Sequence, residues 1–330
     1  MLNKISQRGR LSRKLAIVFS LIMAILIVLN LSAYQHAAAM LNFTPTGTRT
    51  NKPELLSFWQ KITVLLTGVN VPKPRNVATP EQWGMSFETV HFQVNEEIKL
   101  EAWYVPHLPS KGLILLFHGY AIAKASLLPA AKAFHERGYE TFLTDFRGSG
   151  GSNQHSTSIG YYEADDVSKS IEYVTTRWGP RPVVLYGQSM GSAAILRAIY
   201  ANQMQPAAII LEAVFDKMLT TVKHRFSVMG VPTFPGAYLL VFWGGLQNGF
   251  WGFKHNPVEY ATAVHCPTLI LQGTDDPLVT VAEAEAVFTN IPSQHKQFER
   301  FVGGGHSPLA AHPEQWKSIV SQFLAPHLVK

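Results

Sequence analysis

The chain has 330 residues, enough for one large α/β domain with extensions or for two small domains. It is 47% hydrophobic and 15% charged, so it can bury a sizeable core and leaves the sparsely charged surface that suits a membrane-associated protein. The formal charge of +6 belongs to the tail. Lys4, Arg8, Arg10, Arg13 and Lys14 precede any acid, and without those five, 23 basic residues stand against 22 acidic ones, which leaves nucleic-acid binding without support.

Residues 15–34 run without a charge, interrupted only by Ser20, Asn30 and Ser32. At about 1.5 Å per residue they can cross a hydrocarbon core of roughly 30 Å. With basic residues before the run and Arg49 the next charge after it, the expected topology puts residues 1–14 in the cytoplasm and the remainder on the non-cytoplasmic side, periplasmic or extracellular. The alternative is a secreted chain cleaved near Ala37-Ala38-Ala39, although the run exceeds the usual signal core of about 7–15 residues. Residues 35–80 are expected to form a proline-bearing linker with one amphipathic helix. Its apolar face comprises Leu55, Leu56, Trp59, Ile62, Leu65 and Leu66.

From residue 81 to 330 the pattern alternates in the α/β manner. Residues 87–94 and 98–105 read as an antiparallel opening pair, and 112–117 as a strand buried on both faces. Helices are expected over 127–137, 161–178, 281–289 and 313–323, with another following residue 189. Strands are expected over 140–145, 183–186, 207–211, 268–271 and 297–302. Such alternation predicts a mostly parallel sheet with helices on both faces. Cys266 is the only cysteine, so no internal disulfide forms, and His135-Glu136 lacks a second histidine at helical spacing. No metal and no cofactor is expected.

Gly187-Gln188-Ser189-Met190-Gly191 lies between an apolar strand and a helical pattern rich in alanine and leucine. A serine between glycines at a strand-to-helix turn is a nucleophile elbow, which holds Ser189 in a strained conformation with the helix N-terminus behind it. Three partner segments follow predicted strands, where open α/β sheets place their sites. After 112–117 comes His118-Gly119-Tyr120, whose turn can aim the Tyr120 amide beside that of Met190 as an oxyanion hole, each donor contributing about 2.7–4 kcal/mol. His118 itself is expected to be structural. After 268–271 come Asp275 and Asp276. Asp276, held extended by Pro277, is the candidate partner of a histidine, and Asp275 the candidate turn cap. After 297–302 come three glycines and His306, a loop able to swing the imidazole over the sheet, with His312 the weaker competitor. The order Ser189, Asp276, His306 is that of one known arrangement of the triad.

These pieces resemble an α/β-hydrolase, similar to the serine-aminopeptidase-like or BEM46-like branch. The resemblance rests on HGY (118–120), DFRGSGGS (145–152), GQSMG (187–191), CPTLILQGTDDPLV (266–279) and GGGH (303–306), and spans residue 112 to the C-terminus. It implies that 145–152 is a structural loop beside the site. The glycines there make neither a dinucleotide fingerprint nor a P-loop, so no nucleotide site is expected. It also implies a cap inserted after the sixth strand, about residues 216–258.

Within that cap, residues 227–253 carry no charge. Six glycines and two prolines argue against a second membrane span. The expectation is an aromatic lid in which Phe234, Tyr238, Phe242 and Trp243 line an apolar substrate pocket and which dips into the membrane interface, set against a cap that packs only on its own core. The function expected is hydrolysis of carboxylic esters with an apolar acyl part, an esterase or lipase-like activity on a small-molecule or lipid-like substrate. The alternatives are an amidase or peptidase, or a non-catalytic binding protein on the same fold. The uncharged stretch of the cap offers no acid to hold a substrate's amino terminus, which disfavours a true aminopeptidase.

Overall fold

The computed structural model describes residues 2–51 and 56–328. Leu55 and the side chains of Lys4, Arg8, Arg10, Ile62, Leu65 and Leu66 lie outside the described part. The chain opens with a continuous helix, α1 (Leu2–Leu41). Its segment Arg13–Leu41 is long and apolar enough to cross a membrane, and large side chains from Leu15 to Leu31 face outward. Near its C-terminal end Ala37 and Leu41 are buried against the body. Helix α2 (Phe58–Thr67) begins at a reciprocal cap in which the Gln60 amide donates to Ser57 Oγ and the Ser57 amide to Gln60 Oε1. Phe58 and Trp59 on α2 are exposed.

Eight strands make one sheet in the order β1-β2-β4-β3-β5-β6-β7-β8. They are β1 (Glu88–Gln93), β2 (Lys99–Val105), β3 (Leu113–Phe117), β4 (Glu140–Asp145), β5 (Val183–Gln188), β6 (Ala208–Glu212), β7 (Thr268–Gly273) and β8 (Lys296–Phe301). β2 runs antiparallel to both β1 and β4, and every other pair is parallel. β3 is buried along its whole length because helices cover both faces. Its alternate residues divide between two cores: Leu113, Leu115 and Phe117 enter one, Ile114 and Leu116 the other.

The first core is closed by α4 (Glu163–Trp178), α5 (Met190–Asn202) and α9 (Val281–Asn290), through residues such as Val167, Ile195 and Val287. The second is closed by α3 (Leu128–His135) and α11 (Pro313–Leu328), through Phe134 and Trp316. Each fully buried Leu, Ile or Phe contributes about 1.5–3 kcal/mol by leaving water. Between β6 and β7 the chain leaves the sheet to build a cap from α6 (Met218–Val228), α7 (Gly236–Gln247) and α8 (Pro257–Tyr260). The short α10 (Pro308–Ala311) follows the β8 loop. The fold is thus the expected mostly parallel sheet with a cap after the sixth strand. The uncharged stretch 227–253 is broken, with α6 ending at Val228 and α7 starting only at Gly236.

The cap does not stand alone. α7 packs along α1: Trp243 Nε1 donates to Asn30 Oδ1 at 3.2 Å, Gln247 Nε2 donates to the Tyr34 carbonyl at 2.9 Å, and the Tyr34 and Trp243 rings meet edge to face at 5.4 Å. Beyond α1 the chain crosses the body, where the Thr157 amide donates to the Leu41 carbonyl at 2.9 Å and Phe43 packs on Tyr120.

Candidate active site

β5 ends at Gln188 and α5 begins at Met190, so Ser189 makes the whole turn, with φ 54° and ψ −111°. A β-carbon at positive φ costs about 1–3 kcal/mol and persists only where the surroundings impose it. Here they do. The Ser189 amide donates to the Glu212 carbonyl at 2.8 Å and the Ala193 amide to the Ser189 carbonyl at 3.2 Å. A β-carbon on Gly191 would stand 2.2 Å from the Phe117 carbonyl oxygen, and one on Gly187 2.6 Å from the Gly191 carbonyl carbon, so only glycine lets β3, β5 and α5 approach this closely. Ser189 is half-buried, and its hydroxyl makes no hydrogen bond among the described residues.

The turn after β3 reaches the same point. A β-carbon on Gly119 would lie 3.5 Å from Ser189 Cβ. The Tyr120 amide has no protein acceptor among the described residues, and the Met190 amide opens α5, where helix geometry leaves the N–H free. The Tyr120 ring is held from the other side, its hydroxyl donating to the Met40 carbonyl at 2.7 Å, and burial pushes that phenol up to about 12. His118 is fully buried; its Nε2 accepts from the Phe146 amide at 3.1 Å, so Nδ1 carries the proton and donates to the Gly119 carbonyl at 2.8 Å. Burial pulls its pKa below the ordinary histidine value, so it is a neutral brace for the turn.

After β7, Asp276 turns inward and Asp275 outward. Asp275 is exposed and accepts from the Thr274 hydroxyl at 2.9 Å. The Asp276 carboxylate has no solvent exposure and its Oδ2 takes a hydrogen bond from His306 Nδ1 at 2.8 Å. Oδ1 accepts from the amides of Leu278 at 2.7 Å and Val279 at 3.1 Å. Burial works to raise this carboxyl, but the His306 bond and the two amides outweigh it and hold the pKa below the usual carboxylate range. The imidazole keeps about a quarter of its surface open, with 27% of the side chain exposed. Its glycine loop folds back on β7, where a β-carbon on Gly273 would strike the Gly305 carbonyl oxygen at 2.2 Å. His312 lies apart, tilted on the Phe301 ring at 6.0 Å.

Sequence reasoning passed over Glu212, the last residue of β6. It is fully buried, and Oε2 accepts from Tyr186 Oη and Trp316 Nε1, each at 2.9 Å. Oε1 accepts from Gln188 Nε2 at 3.1 Å and Ser307 Oγ at 3.2 Å. One carboxyl therefore ties the residue before Ser189, the residue after His306 and α11. Burial raises its pKa. The available signal was an acid closing an otherwise apolar strand, Ala208-Ile209-Ile210-Leu211-Glu212. A cavity of about 270 Å³, lined in part by Leu127, Ala130, Tyr186, Gln188 and Ser307, opens beside this junction.

The four aromatic residues expected to line a lid pocket are spread along α7 and its approach. Phe234 is 74% exposed and meets Tyr238 at 5.8 Å. Phe242 lies between Trp243 and Trp251, and Trp243 is turned to α1. None of them lines the 270 Å³ cavity. In the loop 145–152, Asp145 is fully buried and bonded to the buried Lys124 ammonium at 2.5 Å and to the Gly151 amide at 2.9 Å.

The family described as serine aminopeptidase, S33, matches residues 109–229. The lysophosphatidylserine lipase ABHD12 of Macaca fascicularis is 28% identical over 247 residues, which are 70% of this chain and 60% of that protein, so the chain spans about 60% of the length of this relative. Protein bem46 of Schizosaccharomyces pombe is 24% identical over 81% of this chain and 86% of its own length. The uncharacterized protein YfhR of Escherichia coli O157:H7 is 30% identical over 64% of this chain and 69% of its own. Among solved structures, the esterase Pf2001 of Pyrococcus furiosus superposes with a TM-score of 0.66 at 20% identity, over 78% of this chain and 98% of that one. By these likenesses the chain belongs to the α/β-hydrolases, in their BEM46-like branch.

Proposed function

We propose that the protein is a membrane-anchored serine hydrolase that cleaves carboxylic esters with an apolar acyl part. Ser189 Oγ attacks the ester carbonyl, His306 takes its proton and returns it to the leaving alcohol, and Asp276 holds the imidazole with Nε2 free to act as the base. The Tyr120 and Met190 amides receive the oxyanion, and a water deprotonated by His306 then releases the acid. The observation that carries this reading is the 2.8 Å bond from His306 Nδ1 to a buried, ionised Asp276 on the strand ends where Ser189 is held at φ 54°. Esterase and lipase names among the similar proteins support the reaction class.

The anchor supports a lipid-like substrate. A crossing of roughly 30 Å uses about 20 residues, the whole of 15–34. Trp243 and Gln247 of α7 bond to Asn30 and Tyr34, at the end of that run, so the cap lies at the membrane boundary. Around it Val228, Met229, Val231, Phe234, Leu246 and Trp251 are exposed, an apolar face suited to the lipid interface. The basic tail supports a topology with this side of the membrane outside the cytoplasm, and cleavage after the apolar run would instead release a secreted enzyme. An amide or peptide substrate is the second reading, favoured by the serine aminopeptidase description of the matching family. The charge-free stretch 227–253 offers nothing to pair with a peptide ammonium.

The test is a fluorophosphonate probe followed by p-nitrophenyl esters of increasing chain length, applied to the full chain in detergent and to its Ser189→Ala variant. Labelling and turnover should be present in the first and lost in the second, with an optimum at a medium or long chain. Labelling without turnover of any ester would move the assignment to amides. A folded wild-type protein that takes no label would sink Ser189 as the nucleophile and leave a binding protein on this fold.

A further inference from the structure

Helix α1 ends against the turn that carries the Tyr120 amide. The last carbonyls of a helix lack partners within it. Here the body supplies them: the Met40 carbonyl accepts from Tyr120 Oη at 2.7 Å, and the Leu41 carbonyl accepts from the Thr157 amide at 2.9 Å. The next residues form a clamp stitched on both sides. The Phe43 amide donates to the His155 carbonyl at 2.5 Å, the Thr44 amide to the Val71 carbonyl at 2.9 Å, and the Lys73 amide to the Thr44 carbonyl at 2.8 Å. The clamp buries Phe43 with Val71 and Ala121, and the Phe43 ring tilts on the Tyr120 ring at 6.1 Å. Ala121 holds φ 54°, a left-handed conformation that a residue with a β-carbon keeps only where its surroundings impose it. Phe43 and Val71 are those surroundings, and Arg49 Nη1 adds a bond to the Ala121 carbonyl at 3.4 Å. The same clamp reaches Met190. Thr157, bonded to Leu41, donates its hydroxyl to Glu163 Oε1 at 2.6 Å and stands 3.5 Å from the Met190 sulfur. The turn that carries the Tyr120 amide and the residue that carries the Met190 amide are thus both braced from the end of α1.

We propose that residues 40–44 are a positioning element for the oxyanion hole, acting through Phe43 and through the bond from the Tyr120 hydroxyl to Met40. The proposal rests on the serine-hydrolase reading and adds what sets its rate: the end of α1 holds the two amide donors where the tetrahedral oxygen will stand. Such donors act because they are fixed in place before the charge develops, so a shift in their position is felt in the transition state and hardly in the bound ground state. A misplacement of about 1 Å can cost about 10²-fold in rate. Helix α1 is then part of the catalytic apparatus as well as the anchor.

The experiment uses the full chain in detergent beside Tyr120→Phe, which removes only the hydroxyl that meets Met40, and beside Phe43→Ala and Phe43→Leu. One readout is inhibition by a long-chain alkyl trifluoromethyl ketone, to whose carbonyl carbon Ser189 Oγ adds, leaving a tetrahedral oxyanion. The others are the second-order rate constant of fluorophosphonate labelling, and kcat and KM on a p-nitrophenyl ester. Tyr120→Phe should weaken ketone binding and slow labelling about tenfold, short of the roughly 10²–10³-fold that follows outright loss of a donor. kcat should fall by a similar factor with KM within about twofold, because the interaction lost is made only in the transition state. Phe43→Ala should lose as much or more, and Phe43→Leu should recover part of it. A packing role alone would lower the melting temperature and leave ketone affinity and labelling rate at their wild-type values. That result in the folded variants overturns the proposal, as does a rise in KM with kcat unchanged. If Phe43→Ala does not fold, Tyr120→Phe and Phe43→Leu decide by the same criteria. Labelling of the wild type separates the two ideas. A wild type that labels, with variants that label equally fast, removes the role of the clamp and keeps the hydrolase, whereas a wild type that takes no label overturns the hydrolase and this proposal with it.

Discussion

Ser189 shows how much of the site is local. Its positive φ follows from a turn with no residue to spare between β5 and α5, and the glycines on either side are demanded by carbonyls 2.2–2.6 Å from where their β-carbons would stand. The pattern of five residues therefore carried the geometry with it. The choice between Asp275 and Asp276 was also legible, since a residue before proline is held extended and Asp276 is the one that reaches His306. Replacing Asp276 by Asn should lower kcat on p-nitrophenyl esters by about 10⁴-fold, because the amide would favour the wrong tautomer, while leaving the melting temperature nearly unchanged. A loss of less than about tenfold would show that His306 does not depend on this carboxylate for orientation.

Between elements, buried polar groups set how the strand ends are held. The Lys124 ammonium and Asp145 carboxylate are both without solvent exposure, and Glu101 Oε1 completes the pair at 2.6 Å from Lys124 Nζ. Burial would raise the Asp145 pKa, but the Lys124 ammonium, His118 and the Lys124 amide outweigh it and hold the carboxyl below the usual carboxylate range. A carboxyl depressed in the folded state stabilises it above the unfolded value and loses that contribution as pH falls through the folded one. Urea midpoints should therefore decline in acid, below about pH 4. Lys124→Met should cost about 3–5 kcal/mol at pH 7, by stranding Asp145, and less in acid where Asp145 can take a proton. Equal losses at both pH values would argue that Lys124 acts by packing alone. Neither this pair nor the Glu212 junction was legible in sequence, because their partners lie tens to a hundred residues away.

For the whole molecule, the consequential contact is that of α7 with α1. It joins residues more than two hundred positions apart and makes the anchor part of the cap. Trp243→Ala removes both the edge-to-face contact with Tyr34 and the bond to Asn30. Hydrogen exchange in α7 should then quicken about tenfold, while amides of β3 and β5 keep their protection, since α7 lies outside the two cores that flank the sheet. Quickening throughout the sheet would mean that the cap and the body unfold as one unit.

The sequence alone determined the parallel sheet, the strand limits to within a few residues, the break in the uncharged stretch 227–253 and the three loops that carry Ser189, Asp276 and His306. Those features depend on hydrophobic period, chain-breaking residues and short turns, all of which act over a few positions. Tertiary structure alone decided that Glu212 links the serine and histidine loops, and that Trp243 turns to α1 while Phe234 is left exposed. Each depends on which side chains from remote segments share one desolvated volume, and no local propensity specifies that.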